Sequence, residues 1–246
     1  DSADCCYIYA LTMGGRTQTG LAACASIDDY TNGVILQHEK TLEAKEQDRI
    51  RHIDTCSAQT GPIFLTHRPD AGLHQITERI KNRDSLYDFT SPDGVRHQVW
   101  KIDDPGDIGK IARIYSGISH LYIADGHHRA ASAVKVGLSR RAADPDFSGT
   151  EEYNFFLCVL FPSDELKIYG YDRVVKDKNG YTFSAFLDKI KDGFEITRIG
   201  AGPYRPEAKG VFGIYSEGVW YRAQARPALL SDDPVSGLDV SVLQDH

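Results

Sequence analysis

One short segment limits what this chain can fold into. Residues 121–125 (Leu-Tyr-Ile-Ala-Asp) are apolar and β-prone, Gly126 follows, and an alanine-rich run begins directly after His127-His128-Arg129. This pattern predicts a strand over 119–124, a tight turn, and a helix over 127–137. The N-terminus of a helix presents unpaired N–H groups and a partial positive charge. The junction is therefore suited to holding a phosphate or a carboxylate.

The composition is typical of a soluble globular protein. The chain has 246 residues, of which 41% are hydrophobic and 26% charged, and its formal net charge is −7. This charge argues against a nucleic-acid partner, because such a protein must neutralise phosphates. No apolar run has the length of a membrane span, so we expect no membrane partner. The five scattered cysteines favour reduced thiols and a cytoplasmic location.

The predicted elements mix strands and helices without a regular β-α-β rhythm, which favours an α+β fold. A hairpin through Gly14-Gly15 is expected to join strands at 5–13 and 18–27. We expect a first part at 1–148, containing this hairpin and a mixed core, and a β-rich second part at 149–246. The chain begins without methionine and ends in a helix-like run, so we expect a fragment truncated at both ends. The other predicted elements are helices at 41–58 (N-cap Thr41), 71–82, 105–116 and 181–192, and strands at 63–67, 85–90, 95–102, 153–161, 168–175, 194–199, 211–216 and 219–225.

A second charged motif lies upstream of the junction, where His38-Glu39 precede the helix predicted from Thr41. The simpler interpretation is a solvated helix with ion pairs such as Glu46–Arg49, each worth about 0.2–0.5 kcal/mol. The thin apolar stripe of the helix and the loop position of His38-Glu39 favour a functional site instead. Three basic residues follow one another on one predicted helix face: Lys45, Arg49 and His52.

Several kinds of chemistry are poorly supported by the motifs. Asp125, His127 and His128 are residue types that bind zinc or iron, but adjacent histidines on a helix point about 100° apart and rarely share one ion. No cysteine lies within either charged motif, so a cysteine nucleophile has no supporting context. Neither the Walker phosphate loop nor the Rossmann glycine fingerprint is present.

Phosphate binding or phosphoryl transfer remains the chemistry that the junction supports best. Phosphoryl transfer requires neutralised charge on the moving group, a metal ion to bridge phosphates, and a carboxylate to accept a hydroxyl proton. Arg129 and the two histidines supply the first requirement, Asp125 is a candidate Mg²⁺ ligand, and Glu39 is a candidate base. The structural alternative is that Asp125 caps the helix while the histidines face solvent.

The combined motifs resemble a known family. The segment Ile-Ala-Asp-Gly-His-His-Arg-Ala-Ala-Ser-Ala occurs with His-Glu-Lys-Thr-x-x-x-Lys-Glu-x-Asp-Arg-x-x-His and with Gly-Pro-Ile-Phe-Leu. Together they are similar to the domain-of-unknown-function 1015 family, over most of residues 7–175. Members of that family are usually longer at both ends, which agrees with the expected truncation.

The Asp-Gly-His-His-Arg segment also resembles the phosphate-binding box of the ParB/sulfiredoxin superfamily. The box reads Gly-Glu-Arg-Arg in partition proteins and Gly-Gly-Cys-His-Arg in sulfiredoxin. His127 stands at the Cys position, so the sulfiredoxin reaction is not implied. Free-serine kinases of the superfamily carry a similar box and an upstream His-Glu. That resemblance implies a ParB/sulfiredoxin-like core over about 30–140.

The resemblance to free-serine kinases also implies a role for each site residue. Glu39 would be the base, and Asp125 would hold the metal or the hydroxyl. Gly126, His127, His128 and Arg129 would bind phosphate, supported by His38, Lys45, Arg49 and His52. Mg²⁺ and ATP or ADP are the implied cofactors.

Three functional hypotheses follow from these motifs. The first is a nucleotide-dependent kinase that phosphorylates a small hydroxyl compound such as free serine. The second is a nucleotide-binding regulatory module without turnover, because partition proteins use CTP to switch state. The third is a metal-dependent hydrolase that uses His127 or His128. The sequence leaves the oligomeric state open.

Overall fold

A computed structural model of the chain describes residues 4–170, 172–233 and 235–245. The chain divides into two compact units, Asp1–Tyr169 and Gly170–His246. The first contains an eight-stranded mixed sheet and the second a three-stranded antiparallel sheet, so the predicted α+β class is confirmed. Within the described ranges, no helix is both long enough and apolar enough to cross a membrane.

The bounds of the first unit's elements follow the chain. Its strands are β1 (Cys6–Met13), β2 (Arg16–Ser26), β3 (Ile35–Leu36), β4 (Ile63–His67), β5 (Tyr87–Thr90), β6 (Arg96–Ile102), β7 (Leu121–Asp125) and β8 (Phe155–Pro162). Its α-helices are α1 (Ile27–Thr31), α2 (Glu43–Cys56), α3 (Ala71–Lys81), α4 (Pro105–Ser116) and α5 (His127–Ala143).

The N-terminal hairpin forms as its sequence predicts. Gly14 and Gly15 have φ angles of +57° and +78°, which a two-residue turn of this hand requires and which glycine adopts without strain. The turn sets Met13 opposite Arg16, and the register continues to Tyr7 opposite Ala22.

The large sheet has the strand order β3-β7-β4-β8-β2-β1-β6-β5. Strand β8 lies between β4, to which it is parallel, and β2, to which it is antiparallel. It therefore joins the β1–β2 hairpin side of the sheet to the side that carries β7 and the predicted anion-binding junction.

One face of the sheet supplies the core, which α3, α4 and α5 cover. Alternate strand residues such as Ile8, Leu65 and Ile123 are almost fully buried there, as expected for strands with one covered face. Two aspartates begin the covering helices: Asp70 accepts hydrogen bonds from the first turn of α3, and Asp104 accepts one from the first turn of α4.

Helix α5 is longer than predicted, and it continues through Gly137. The prediction ended near Gly137, but the helix continues to Ala143. A Cβ atom at Gly137 would lie 2.4 Å from the Tyr153 carbonyl oxygen and 2.8 Å from Ile27 Cδ1. Glycine is thus placed here by contact with a neighbouring segment and does not mark the end of the helix.

The second unit is a small sheet with two α-helices. Its strands are β9 (Phe194–Gly200), β10 (Val211–Ser216) and β11 (Val219–Ala225), and its α-helices are α6 (Phe183–Ile190) and α7 (Asp239–Asp245). The strand order is β10-β11-β9, and all pairs are antiparallel. Among the described residues, its core includes a cluster of buried side chains: Phe194, Phe212, Ala223, Ala225 and Val242.

Two sequence expectations differ from the structure in this region. No strand occupies residues 168–170 or 172–175, and Tyr171 lies outside the described residues. The apolar residues of that segment find no neighbouring strand, and Val174 stays 93% exposed. The two units divide after Tyr169, about twenty residues beyond the expected boundary at 148, because β8 pairs within the first unit's sheet.

Candidate functional site

A polar cavity of about 350 Å³ lies at the N-terminus of α5, within the first unit. The junction between β7 and α5 forms one side of it, and the loop before α2, helix α2 itself and the loop before β4 contribute the rest. The residues that line it are Glu39, Arg49, Thr60, Gly61, Asp125, Gly126, His127, His128 and Arg129. The structure therefore brings together seven of the residues singled out from the sequence.

The first turn of α5 leaves its N–H groups free. Gly126 is the N-cap, with φ +96°, and it provides no side-chain acceptor for the helix. The first helical bond runs from the Ala130 N–H to the Gly126 carbonyl at 2.9 Å. Among the described residues, no atom accepts a hydrogen bond from the backbone N–H groups of residues 127–129. Three donors at a helix N-terminus are the arrangement that binds anions elsewhere.

Arg129 folds back over this turn. Its Nη2 donates to Asp125 Oδ2 at 2.8 Å, which ties the two ends of the turn together. A Cβ atom at Gly126 would lie 2.9 Å from Arg129 Nε, so the guanidinium occupies the space that a side chain would need. Arg129 Nε is buried and has no hydrogen-bond partner within the described part of the chain. An unpartnered buried donor beside a cavity is a candidate ligand-binding group.

His127 is buried between the turn and the upstream loop. Its ring meets that of His38 edge to face at 4.4 Å, and its Nδ1 lies 3.7 Å from Glu39 Oε2. That separation is too long for a hydrogen bond. Burial, and next the neighbouring His38, lower the pKa of His127, so its ring is neutral near pH 7. His127 Nε2 has no partner among the described residues.

His128 has a different partner. The Leu42 N–H donates to His128 Nε2 at 3.1 Å, so Nε2 carries no proton and the neutral ring carries its proton on Nδ1. The two histidines therefore turn to different elements, as adjacent positions on a helix require. His128 connects the junction to the start of α2, and the loop just before that start carries Glu39.

The start of α2 corrects one sequence expectation. The N-cap is Leu42, not Thr41, and α2 begins at Glu43. The Thr41 hydroxyl donates to the Glu46 carboxylate instead of to a backbone group. A sequence pattern cannot distinguish these two uses of a threonine hydroxyl, since both are local.

Glu46 also corrects the ion pairs expected along α2. It is buried and accepts from Lys135 of α5, and the Ser132 hydroxyl donates to its backbone carbonyl at 3.2 Å. The hydrogen bond from Lys135 is the main reason that the pKa of Glu46 is lowered. The Glu46–Arg49 pair of the simpler interpretation is absent from the described residues, and Arg49 lines the cavity. Part of the charge on α2 thus serves its packing against α5.

Three of the supporting residues lie outside the cavity lining, and two lining residues were missed. Lys45 is exposed and does not line the cavity, and His38 reaches it only through its contact with His127. The His52 Nε2 lies 3.2 Å from the Thr60 hydroxyl, so it contacts the lining indirectly. Thr60 and Gly61 were missed because the sequence indicates only the end of a helix there.

The formal charges around the cavity balance. Two guanidinium groups, Arg49 and Arg129, face two carboxylates, Glu39 and Asp125. Within the described ranges, no group of three or more His, Cys, Asp or Glu residues is arranged to hold a metal ion. A Mg²⁺ ion bound to Asp125 would therefore take its other ligands from phosphate oxygens and water, as Mg²⁺ commonly does.

The fold and the site define an α+β protein with a polar cavity at a strand–glycine–helix junction. The chain belongs to the family described as "Protein of unknown function (DUF1015)", whose profile matches residues 1–241. The family resemblance noted from the motifs is thereby confirmed. No curated protein and no solved structure matches the chain.

Proposed function

We propose that the cavity binds the phosphates of a nucleotide and that the protein transfers a phosphoryl group to a small hydroxyl compound such as free serine. The observation that carries this proposal is the uncapped first turn of α5, which leaves three N–H donors beside Arg129. Helices α3 and α4, which also pack on the sheet, begin with an aspartate whose side chain accepts hydrogen bonds from the first turn: two at Asp70 and one at Asp104. The first turn of α5 keeps its donors for a ligand.

The charge of the lining supports a nucleotide bound with a divalent cation. Because the cavity's own charges balance, a diphosphate or triphosphate would add uncompensated negative charge. Arg129 engages one oxygen of Asp125, and the other oxygen is available to a Mg²⁺ ion. When bound, Mg²⁺ would neutralise phosphate oxygens. A cytoplasmic location would supply both ATP or ADP and Mg²⁺.

In this proposal Glu39, the acidic residue of the upstream loop, serves as the base. In the proposed reaction the acceptor hydroxyl oxygen forms a bond to phosphorus as the bond to the leaving nucleotide oxygen breaks. The hydroxyl proton passes to the Glu39 carboxylate, which lines the cavity and is exposed. Burial lowers the pKa of the neighbouring His127, so its ring adds no positive charge beside Glu39 near pH 7.

The similarity of Asp-Gly-His-His-Arg to the box of free-serine kinases supports this assignment. In those proteins the box holds nucleotide phosphates, and an upstream Glu acts as the base. The ParB/sulfiredoxin-like core remains a prediction. His127 at the position of sulfiredoxin's cysteine leaves phosphate binding as the shared property.

A regulatory nucleotide-binding module is the second candidate. The hydrogen bond from Leu42 to His128 favours it, because a ligand at the α5 N-terminus would act directly on the start of α2. A ligand that drew His128 away from the Leu42 N–H would free the N-terminus of α2 from the junction. The helix would then have two states, as a switch requires.

Nucleotide binding and turnover separate these candidates. The chain is incubated with Mg²⁺, ATP or ADP and an amino-acid panel, and phosphorylated products are measured by ³¹P NMR and mass spectrometry. Calorimetry with the same nucleotides measures binding. We expect Arg129→Gln to weaken nucleotide binding and Glu39→Gln to abolish product formation while binding persists. Lys45→Gln, an exposed lysine on α2 outside the lining, is the matched control.

Each outcome has a defined consequence. Product that depends on Glu39 supports the kinase. Binding without product from any acceptor, with loss in Arg129→Gln, replaces the kinase by the regulatory module. Absence of binding by every nucleotide refutes both.

A further inference from the structure

The first unit contains a second cavity, of about 640 Å³, that shares no lining residue with the first. Leu11, Phe64 and Ala124 lie in its wall, and they alternate along their strands with buried residues of the core. Successive side chains of a strand point to opposite faces of the sheet. The second cavity is therefore on the face of the sheet opposite α3, α4 and α5.

The cavity is long. It extends from Ala124 in β7 to His97 in β6, and these strands are five steps apart in the sheet. With adjacent strands about 4.8 Å apart, the cavity crosses about 24 Å of the sheet. The segment after β8, residues 166–169, forms its outer wall. A groove of this form accommodates an extended ligand better than a compact one.

The walls expose apolar surface that the described residues leave uncovered. Met13 is 53% exposed, Ile168 is 97% exposed and Tyr169 is 62% exposed. A lone exposed apolar side chain is ordinary, but apolar side chains that converge on one groove mark a binding surface. Burying them against a hydrocarbon chain would be favourable by about 25 cal/mol per Å² of apolar area.

The polar groups of the groove select a negative charge. Among the residues that the structure describes, Arg16 and Lys167 line the groove and no acidic residue does. The Arg16 guanidinium donates to the backbone carbonyl of Glu165, a neutral acceptor, and the Lys167 ammonium lies 5.3 Å from the centre of the Tyr169 ring. Across the part of the chain that the structure describes, neither cation has a carboxylate partner. These two uncompensated cations lie beside the groove in a chain of net charge −7.

His97 also lines the groove, and its ring is already engaged. The Tyr9 hydroxyl lies 2.7 Å from His97 Nδ1, and the Ser91 hydroxyl lies 3.0 Å from His97 Nε2. Both ring nitrogens thus have protein partners. Arg16 and Lys167 are the cationic groups that can recognise the head group of a ligand.

We propose that this groove binds one extended amphiphilic anion, a long-chain carboxylate. Its hydrocarbon chain lies along the apolar wall formed by Leu11, Met13 and Phe64. Its carboxylate is held by Arg16 and Lys167. Binding requires no covalent step and does not depend on the function proposed for the first cavity.

Dodecanoate below its micellar concentration is the probe, and isothermal calorimetry with the whole chain measures its dissociation constant. We expect the double variant Arg16→Gln/Lys167→Gln to bind about tenfold more weakly, as the loss of charge-assisted hydrogen bonds implies. Met13→Asp, which changes an exposed residue and therefore leaves folding intact, is expected to weaken binding to a similar degree. Lys110→Gln on α4 and Arg129→Gln at the first cavity are controls, and both are expected to bind dodecanoate as the wild type does.

Two comparison ligands distinguish the alternatives. Dodecyltrimethylammonium has the same chain with a positive head, and equal binding of both amphiphiles would overturn the carboxylate assignment. Vesicles of phosphatidylglycerol test for a membrane surface as the source of the anion. Binding to these vesicles without binding of monomeric dodecanoate would overturn the proposal in favour of a lipid-docking surface. Wild-type affinity in both Arg16→Gln/Lys167→Gln and Met13→Asp would also overturn it.

Discussion

The close packing of α5 around Gly137 predicts how a substitution there changes the free energy of unfolding. In an open helix, replacing glycine by alanine stabilises by about 1 kcal/mol. At Gly137 the new Cβ would lie 2.4 Å from the Tyr153 carbonyl oxygen, about 1 Å inside an ordinary contact. Overpacking of this kind costs about 1–3 kcal/mol, and a backbone neighbour places the cost at the upper end. We therefore expect Gly137→Ala to lower the free energy of unfolding by about 2 kcal/mol.

Gly109 in α4 is the matched control, because no atom lies within 4 Å of its would-be Cβ. Gly109→Ala is expected to raise the free energy of unfolding by about 1 kcal/mol. Both variants are unfolded in urea in a Trp220→Phe background. There Trp100 of the first unit is the one remaining tryptophan, and its fluorescence follows that unit alone. Stabilisation by Gly137→Ala equal to that by Gly109→Ala would refute the close contact between α5 and Tyr153.

Three further predictions follow from single contacts. In His128→Ala the Leu42 N–H loses its acceptor, so we expect faster amide exchange at Leu42 by hydrogen-exchange mass spectrometry. His128→Gln is the control, because it keeps an acceptor. Equal exchange in both variants would contradict the contact. Burial lowers the pKa of His67, so the unfolded chain binds the proton more tightly. The contribution of His67 to stability is therefore full above the unfolded pKa of about 6.5 and falls as the pH decreases. His67→Phe should flatten this pH dependence in urea titrations from pH 7.5 to 5. An unchanged slope would contradict the role of buried His67. Asp104→Ala removes the side-chain acceptor that lies 2.8 Å from the Asp107 N–H, and it should lower the free energy of unfolding by about 1 kcal/mol. An unchanged melting temperature would show that the cap is dispensable.

Elements bounded by local chemistry could be predicted from the sequence. The β1–β2 hairpin follows from two glycines between alternating strands, and the start of α4 follows from Asp104 and Pro105. The strand–turn–helix at Asp125-Gly126 was predictable for the same reason, since glycine supplies the positive φ that the junction needs.

What depends on distant neighbours could not be predicted. The sequence places Glu46 on a solvent-exposed helix with local ion pairs. In the structure it is buried and accepts a hydrogen bond from Lys135, which lies 89 positions away. Thr60 reaches the cavity only because β4 pairs with β7 and brings the end of its preceding loop to the junction. Both outcomes depend on tertiary contacts, which periodicity and spacing do not encode.

The position of β8 affects how this chain assembles during synthesis. Strands β2 and β4 precede β8 in the chain, and each keeps an unpaired edge until Phe155–Pro162 has emerged from the ribosome. Open strand edges template aggregation, and pairings between strands far apart in the sequence, such as Leu21 of β2 with Leu160 of β8, form slowly. The N-terminal hairpin can form early, but the sheet can close only when β8 arrives. A nascent chain stalled before that point would expose the unpaired edges of β2 and β4. Such edges would make it a substrate for chaperones.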